Sequence, residues 1–196
     1  MATGGMMRKR SRRAGLLTVG PLATAVLVGG VLLSGGAAAD ELQQLGTIEA
    51  SIDGSQGRWE TLAVPAEGAA TANYRITGAT TSIAIQGHDP DAEHMRQNVL
   101  NLEVRLVGEE ADAEILGAGV NLFPDGLENP FYVSDAEGAG ASVTFEHLDL
   151  GAEEGVAAGR FTATICRRES IKAEADPDAC REVEGRFDTE LRVLKD

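Results

Sequence analysis

The sequence predicts an all-β domain behind an export signal: an antiparallel β-sandwich, with a closed barrel as the second architecture, built from about ten short strands. Three observations carry this. Short runs of alternating apolar and polar residues recur along the chain, the pattern of half-buried strands. Turn dipeptides and many of the 24 glycines fall between those runs. Long 3.6-residue periodicity is scarce, and the one helical turn expected lies at 91–99.

Thr47 to Ile52 alternates and stops at Asp53-Gly54, a pair suited to a two-residue hairpin turn. Arg58 to Val64 reads as the returning strand, ended by Pro65. Tyr74–Thr77 and Thr80–Gln86 follow, the latter ended by Gly87. From Leu100 to Val107 the alternation is clean, with Leu100, Leu102, Val104 and Leu106 on one side and Asn101, Glu103 and Arg105 on the other. Strands at 114–123, 131–133, 142–150, 156–167 and 181–194 complete the set. Their recurrence suits a sandwich or barrel. A sandwich is preferred because the strands are uneven and the glycines show no regular corner pattern.

The chain opens with Arg8, Lys9, Arg10, Arg12 and Arg13, has no acidic residue before Asp40, and continues through an apolar stretch to Ala37-Ala38-Ala39. Basic, apolar, then small is the order of a secretory signal peptide. The expected division is a signal peptide over 1–39 and a single exported domain over 40–196. Cleavage after Ala39 gives a periplasmic or secreted product; the alternative is an uncleaved N-terminal anchor, since the apolar stretch is about long enough to span a membrane. Glycines and Pro21 in that stretch disfavour a permanent helix. Ser11-Arg12-Arg13-Ala14-Gly15-Leu16-Leu17 resembles the twin-arginine export motif, departing from it at Gly15 and Leu17. General secretion and twin-arginine export both fit.

Past residue 39, 12 basic residues face 31 acidic ones, a net charge of −19. Such a surface repels nucleic acid and anionic membranes, so no nucleic-acid partner is expected and any membrane contact is through the signal segment. The partner itself is not identified by the sequence. Aromatic residues make up 4 % of the chain, which argues against a stacking surface for sugars or bases.

Two cysteines in an exported chain should form a disulfide, Cys166–Cys180. Gly159-Arg160-Phe161 echoes Gly185-Arg186-Phe187. With Cys166 directly opposite Cys180, paired residue numbers sum to 346. Phe161 then faces Gly185, Phe187 faces Gly159, and each ring covers bare backbone. Phe161, Ala163, Val183 and Phe187 share the face taken as buried. The register leaves Arg160 against Arg186, to be relieved by Glu184 or Asp188. The charged segment 167–179 is expected to be an exposed loop.

The densest chemical constellation is Gly87-His88-Asp89-Pro90-Asp91-Ala92-Glu93-His94. His88, Asp89, Asp91 and His94 form a candidate metal set, for Zn²⁺ or for Ca²⁺ through oxygens alone. The stretch lacks the glycine placement of an EF-hand and reads first as an exposed acidic loop between two strands, with metal binding the minority reading; no resident cofactor is required. Glu109, Glu110, Asp112 and Glu114 form a second cluster, and Glu174, Asp176 and Asp178 a third. Ser134, Asp135 and His147 are the nearest approach to a triad and lack a motif context. Trp59 and Phe131-Tyr132 read as core and rim. The function expected is a non-catalytic binding, accessory or envelope-associated module. The alternatives are a small metal protein or hydrolase using the 88–94 loop, and a barrel carrying a small apolar ligand.

Overall fold

A computed structural model describes residues 42–127 and 130–194. The expected signal segment and its cleavage site lie outside the described residues. The described chain is β throughout: β1 (Gln43–Ile52), β2 (Ser55–Val64), β3 (Ala69–Ala70), β4 (Ala72–Thr77), β5 (Thr80–His88), β6 (Val99–Val107), β7 (Glu114–Phe123), β8 (Phe131–Val133), β9 (Gly140–Leu150), β10 (Glu154–Arg168) and β11 (Ala175–Val193). The one helical element among the described residues is a 3-10 turn at Pro65–Glu67. The turn expected at 91–99 forms bends and hydrogen-bonded turns instead of helix.

Eight strands close a ring, β1–β2–β5–β6–β7–β8–β10–β11 and back to β1. This is the barrel of the two architectures the sequence allows, and it keeps a sandwich-like division. One broad antiparallel ladder is β2–β1–β11–β10–β9 and the other is β4–β5–β6–β7. The seams between them are narrow. On one side β2 and β5 share the single pair Glu60↔His88, and β11 meets β4 through two parallel pairs. On the other, β8 bridges β7 and β10 with two and three pairs.

The first hairpin turns at Asp53 (φ 49°) and Gly54 (φ 84°), both left-handed, as a two-residue turn between Ile52 and Ser55 requires. The last hairpin has the expected register throughout its length to the cysteines: Gly159↔Phe187, Phe161↔Gly185, Ala163↔Val183 and Cys166↔Cys180. The cysteines are bonded, with Cα atoms 3.9 Å apart. Cys166 is fully buried although it lies on the outer side, because Val133 of β8 is its other neighbour. Beyond the cystine the strands continue, contrary to the expected loop over 167–179: Arg167 pairs with Asp176 and Arg168 with Ala175, leaving residues 177–179 in a bulge. The connection proper is 169–174. Glu184 and Asp188 do not relieve the facing arginines. Glu49 of β1, directly opposite Arg186, takes it at 2.5 Å, and Glu146, at the β9 bulge, takes Arg160 at 2.7 Å.

Three transverse rows build the inside of the larger ladder. The first is Trp59, Ile48, Phe187, Gly159 and Phe145; the second is Gly57, Ala50, Gly185, Phe161 and Val143. Phe145 meets Phe187 edge-on, with centroids 5.8 Å apart at 81°, a geometry worth about 0.5–1.5 kcal/mol beyond burial. A Cβ on Gly185 would stand 2.6 Å from Phe161 Cζ and 2.7 Å from the Glu49 carbonyl oxygen; one on Gly159 would stand 2.8 Å from Phe187 Cζ. Ring and bare backbone occupy complementary space. The third row is Thr61, Gly46, Thr189, Ala157 and Leu148. Across Gly46 the buried hydroxyls of Thr61 and Thr189 hydrogen-bond at 2.7 Å. At one end of the interior, fully buried Tyr74 donates from its hydroxyl to the Gly151 carbonyl at 2.5 Å, tying β4 to the β9–β10 turn.

Three outcomes follow for stability. Gly185→Val should lower the thermal unfolding midpoint by several degrees, since overpacking costs about 1–3 kcal/mol. Gly117→Val on β7, where a Cβ meets nothing within 4 Å, should leave it nearly unchanged. Reducing Cys166–Cys180 should cost about 3 kcal/mol for a loop of this length, while the far-UV circular dichroism stays β-type because the rows above do not depend on the bond.

Candidate functional site

The 88–94 stretch crosses from β5 to β6 outside the β2–β5 seam, and the side chains of His88 and Asp89 are already engaged. His88 is buried; its Nδ1 lies 2.7 Å from the Met95 carbonyl oxygen and its Nε2 lies 3.2 Å from Gln86 Nε2. The carbonyl requires the proton on Nδ1, so Nε2 is left to accept from the Gln86 amide. That neutral tautomer is satisfied at both nitrogens. Asp89 accepts from the Asp91 backbone N–H through Oδ1 (2.9 Å) and from Asn98 Nδ2 through Oδ2 (2.7 Å). Asn98, at φ 49°, accepts the Trp59 indole N–H on its carbonyl at 2.7 Å. Asp91 and His94 are exposed. The four residues singled out for metal are therefore not gathered into one ligand set, and no group of three or more His, Cys, Asp or Glu side chains suited to a metal occurs among the described residues.

Ser134 and Asp135 are also built into the frame. Ser134 Oγ accepts the Val120 backbone N–H at 2.8 Å, extending the short β7–β8 ladder. Asp135 pairs with Arg168 at 2.8 Å. His147 sits exposed on β9 beside the bulge at Glu146. The three do not converge. Trp59 is core, Phe131 packs on Phe123 with centroids 5.4 Å apart, and the Tyr132 ring lies 4.3 Å beneath the Arg181 guanidinium.

What the sequence did not single out is a concave patch of about 490 Å³ on the outside of the β4–β7 ladder. Two rows of outward residues form it. One is Asn73, Ala84, Glu103 and Gly119; the other is Arg75, Ser82, Arg105 and Gly117. Small residues on β5 and β7 keep the floor low between taller side chains on β4 and β6. Leu194, held beside β4 by its N–H bond to the Tyr74 carbonyl, lines one margin. Leu116 lines the other, exposed because a bulge at Arg105/Leu106 places it opposite no partner. Glu103 accepts from Asn101 Nδ2 at 3.0 Å, whereas Arg105 makes no ion pair among the described residues. Alternation places Arg105 on the polar side of its strand, but only strand order shows that Arg75, Ser82 and Gly117 lie in line with it.

No protein-family model, curated protein or solved structure matches the chain.

Burial holds the His88 imidazole below its ordinary pKa of 6.5, against the opposing pull of the Met95 carbonyl. The unfolded chain therefore takes up this proton first as pH falls. The contribution to stability is complete above about pH 6.5 and declines below it until His88 itself protonates in the fold. The denaturant midpoint should fall on acidification through this range, and His88→Asn, which keeps a donor for the Met95 carbonyl, should show a shallower fall. Equal slopes would remove His88 as the source.

Proposed function

We propose that the chain is exported, cleaved after Ala39, and works outside the cytoplasm as a non-catalytic binding or envelope-accessory module. The observation that carries this reading is the use made of the polar groups. His88, Asp89 and Ser134, the less exposed of the groups that resemble catalytic or metal-binding residues, are bonded into the frame, and the interior rows are filled by side chains. The outer strand faces are left for recognition. The Cys166–Cys180 bond suits an oxidising compartment, and the basic, apolar and small-residue order of the first 39 residues suits a cleaved signal.

The full chain, expressed in a bacterial host, should appear in the extracytoplasmic fraction with an intact mass starting at Asp40 and lacking two hydrogens for the disulfide. It should also co-sediment saturably with isolated cell envelopes. A full-length product of 196 residues in the membrane would overturn cleavage. Reduced protein in the cytoplasm would overturn export, and the absence of saturable retention would overturn the envelope role.

A further inference from the structure

We propose that residues 89–98 form an acid-released strap, which closes a small apolar row on the outside of the ring and lifts from it, with the barrel still folded, when His88 takes up a proton. This adds a regulatory device to the domain and does not depend on what the domain binds.

The row lies on the side of the strands that faces away from the interior. On β5, β6 and β7 the interior is filled by Ile85, Leu100 and Leu122, so His88, Val99 and Phe123 point outward; these three are consecutive partners across the strands. Phe131 of β8 packs on Phe123. His88, Val99 and Phe131 are nevertheless buried, at 7 %, 5 % and 4 % exposure, and Val99 and Phe131 stand apart from the main core. Outward residues are buried when something covers them, and satellite clusters of this kind form under loops. The strap leaves β5 at His88 and returns over it, placing the Met95 carbonyl oxygen 2.7 Å from Nδ1. It reaches as far as the β7–β8 connection, where a Cβ on Gly126 would be 3.8 Å from Arg96 and the Asn98 N–H donates to the Pro124 carbonyl at 2.8 Å.

The imidazole under the strap decides which state takes the proton. In the closed form Nδ1–H donates to Met95 and Nε2 accepts from the Gln86 amide. A proton on Nε2 would set two donors face to face; a turned Gln86 amide would restore that bond, but not the hydration that a buried cation gives up. The nearby carboxylates are engaged elsewhere. Glu60, opposite His88 on β2, is held by Arg58 at 3.3 Å, and Asp89 by Asn98 and the Asp91 N–H. Asp91, Glu93, His94 and Arg96 of the strap are exposed. With the strap lifted the imidazole is in water and titrates near its ordinary 6.5, whereas burial holds it lower in the closed form. Protons therefore bind the lifted form first. The lifted fraction rises as pH falls below about 6.5, by at most about tenfold per pH unit. The β5–β6 pairs from Thr80↔Val107 to Gly87↔Leu100 lie outside the change, so it is local.

NMR on the mature, oxidised protein, from about pH 7.5 to about pH 5, tests this. Two hydrogens report on the strap: the Asn98 amide, and the indole N–H of Trp59, the chain's one tryptophan, which donates to the Asn98 carbonyl at 2.7 Å. Their protection factors should fall together, by up to about tenfold per pH unit, in step with titration of the His88 ring, while amides of β10 and β11 keep theirs. In His88→Asn the fall should vanish. Gln86→Glu sets a carboxylate against Nε2, which favours the proton in the closed form, so there the strap should stay protected on acidification. Protection that holds while His88 protonates overturns the proposal, as does an equal fall in His88→Asn or an undiminished fall in Gln86→Glu. Loss of protection in β10 and β11 in step with the strap overturns it too, since the acid response is then unfolding of the whole barrel.

Discussion

Trp59 governs more of this structure than any other side chain, through what its neighbours lack. Its indole lies over Gly57 in its own strand, and its Cβ would be 2.6 Å from a Cβ on Gly87 of β5. Ile48, its partner on β1, crowds the same position at 2.9 Å. With Gly87 bare, β5 approaches β2 closely enough for the Glu60↔His88 pair, and that pair closes one side of the ring. The indole N–H then reaches the Asn98 carbonyl and secures the segment that leads into β6. Phe161 over Gly185 and Phe187 over Gly159 repeat the device inside the larger ladder. Glycine in a strand usually weakens it; here Gly57, Gly159 and Gly185 are each the complement of a ring.

The polar residues follow from that closure. A narrow seam leaves backbone groups near it without ladder partners, and buried groups of this kind must be paired. His88, Asp89 and Asn98 pair them outside the β2–β5 seam, Ser134 does so where β7 outruns β8, and Tyr74 does so at the β9–β10 turn. Each of these bonds is worth about 1 kcal/mol net, yet leaving its buried partner unmet would cost more. The same demand explains why a sequence with histidines and carboxylates in close succession holds them as a fastening. Imidazole and carboxylate suit irregular backbone because they offer two sites at fixed angles.

The hairpin of β10 and β11 was legible because its register is overdetermined. A cystine, two ring–glycine pairs and an alternation of faces all require the same sum of residue numbers, and a slip of one would expose both rings. The Asp53-Gly54 turn was legible from local chemistry for a similar reason. Ring closure was not. It depends on one pair between Glu60 and His88, whose positions are 28 residues apart and carry no mutual signal; only Gly87, a buried glycine inside a strand, marks the approach. The helical turn expected at 91–99 failed because the Asp89 and Gln97 side chains cap backbone N–H groups locally, which competes with helix. The four residues noticed as a metal set are close in sequence but not gathered in the structure. Proximity in sequence is not convergence in space, and here the side chains bond to their own loop.

The two outer faces carry their charges in different surroundings. On the β1–β11–β10–β9 side, Glu49–Arg186 and Arg160–Glu146 match neighbour to neighbour. These pairs are exposed, so each adds about 0–1 kcal/mol at most; their effect is to cancel the like-charge contact that the ring–glycine register imposes on Arg160 and Arg186. Charge on that face is a consequence of packing. On the β4–β7 side no such register exists to explain Arg105. Its strand neighbours in the row are Ser82 and Gly117, which neither oppose nor satisfy it, and Glu103 bonds to Asn101 instead. The like-charge clash of the other face is absent here: Arg105 stands between small residues of β5 and β7, and its ladder needs no carboxylate to offset a facing cation.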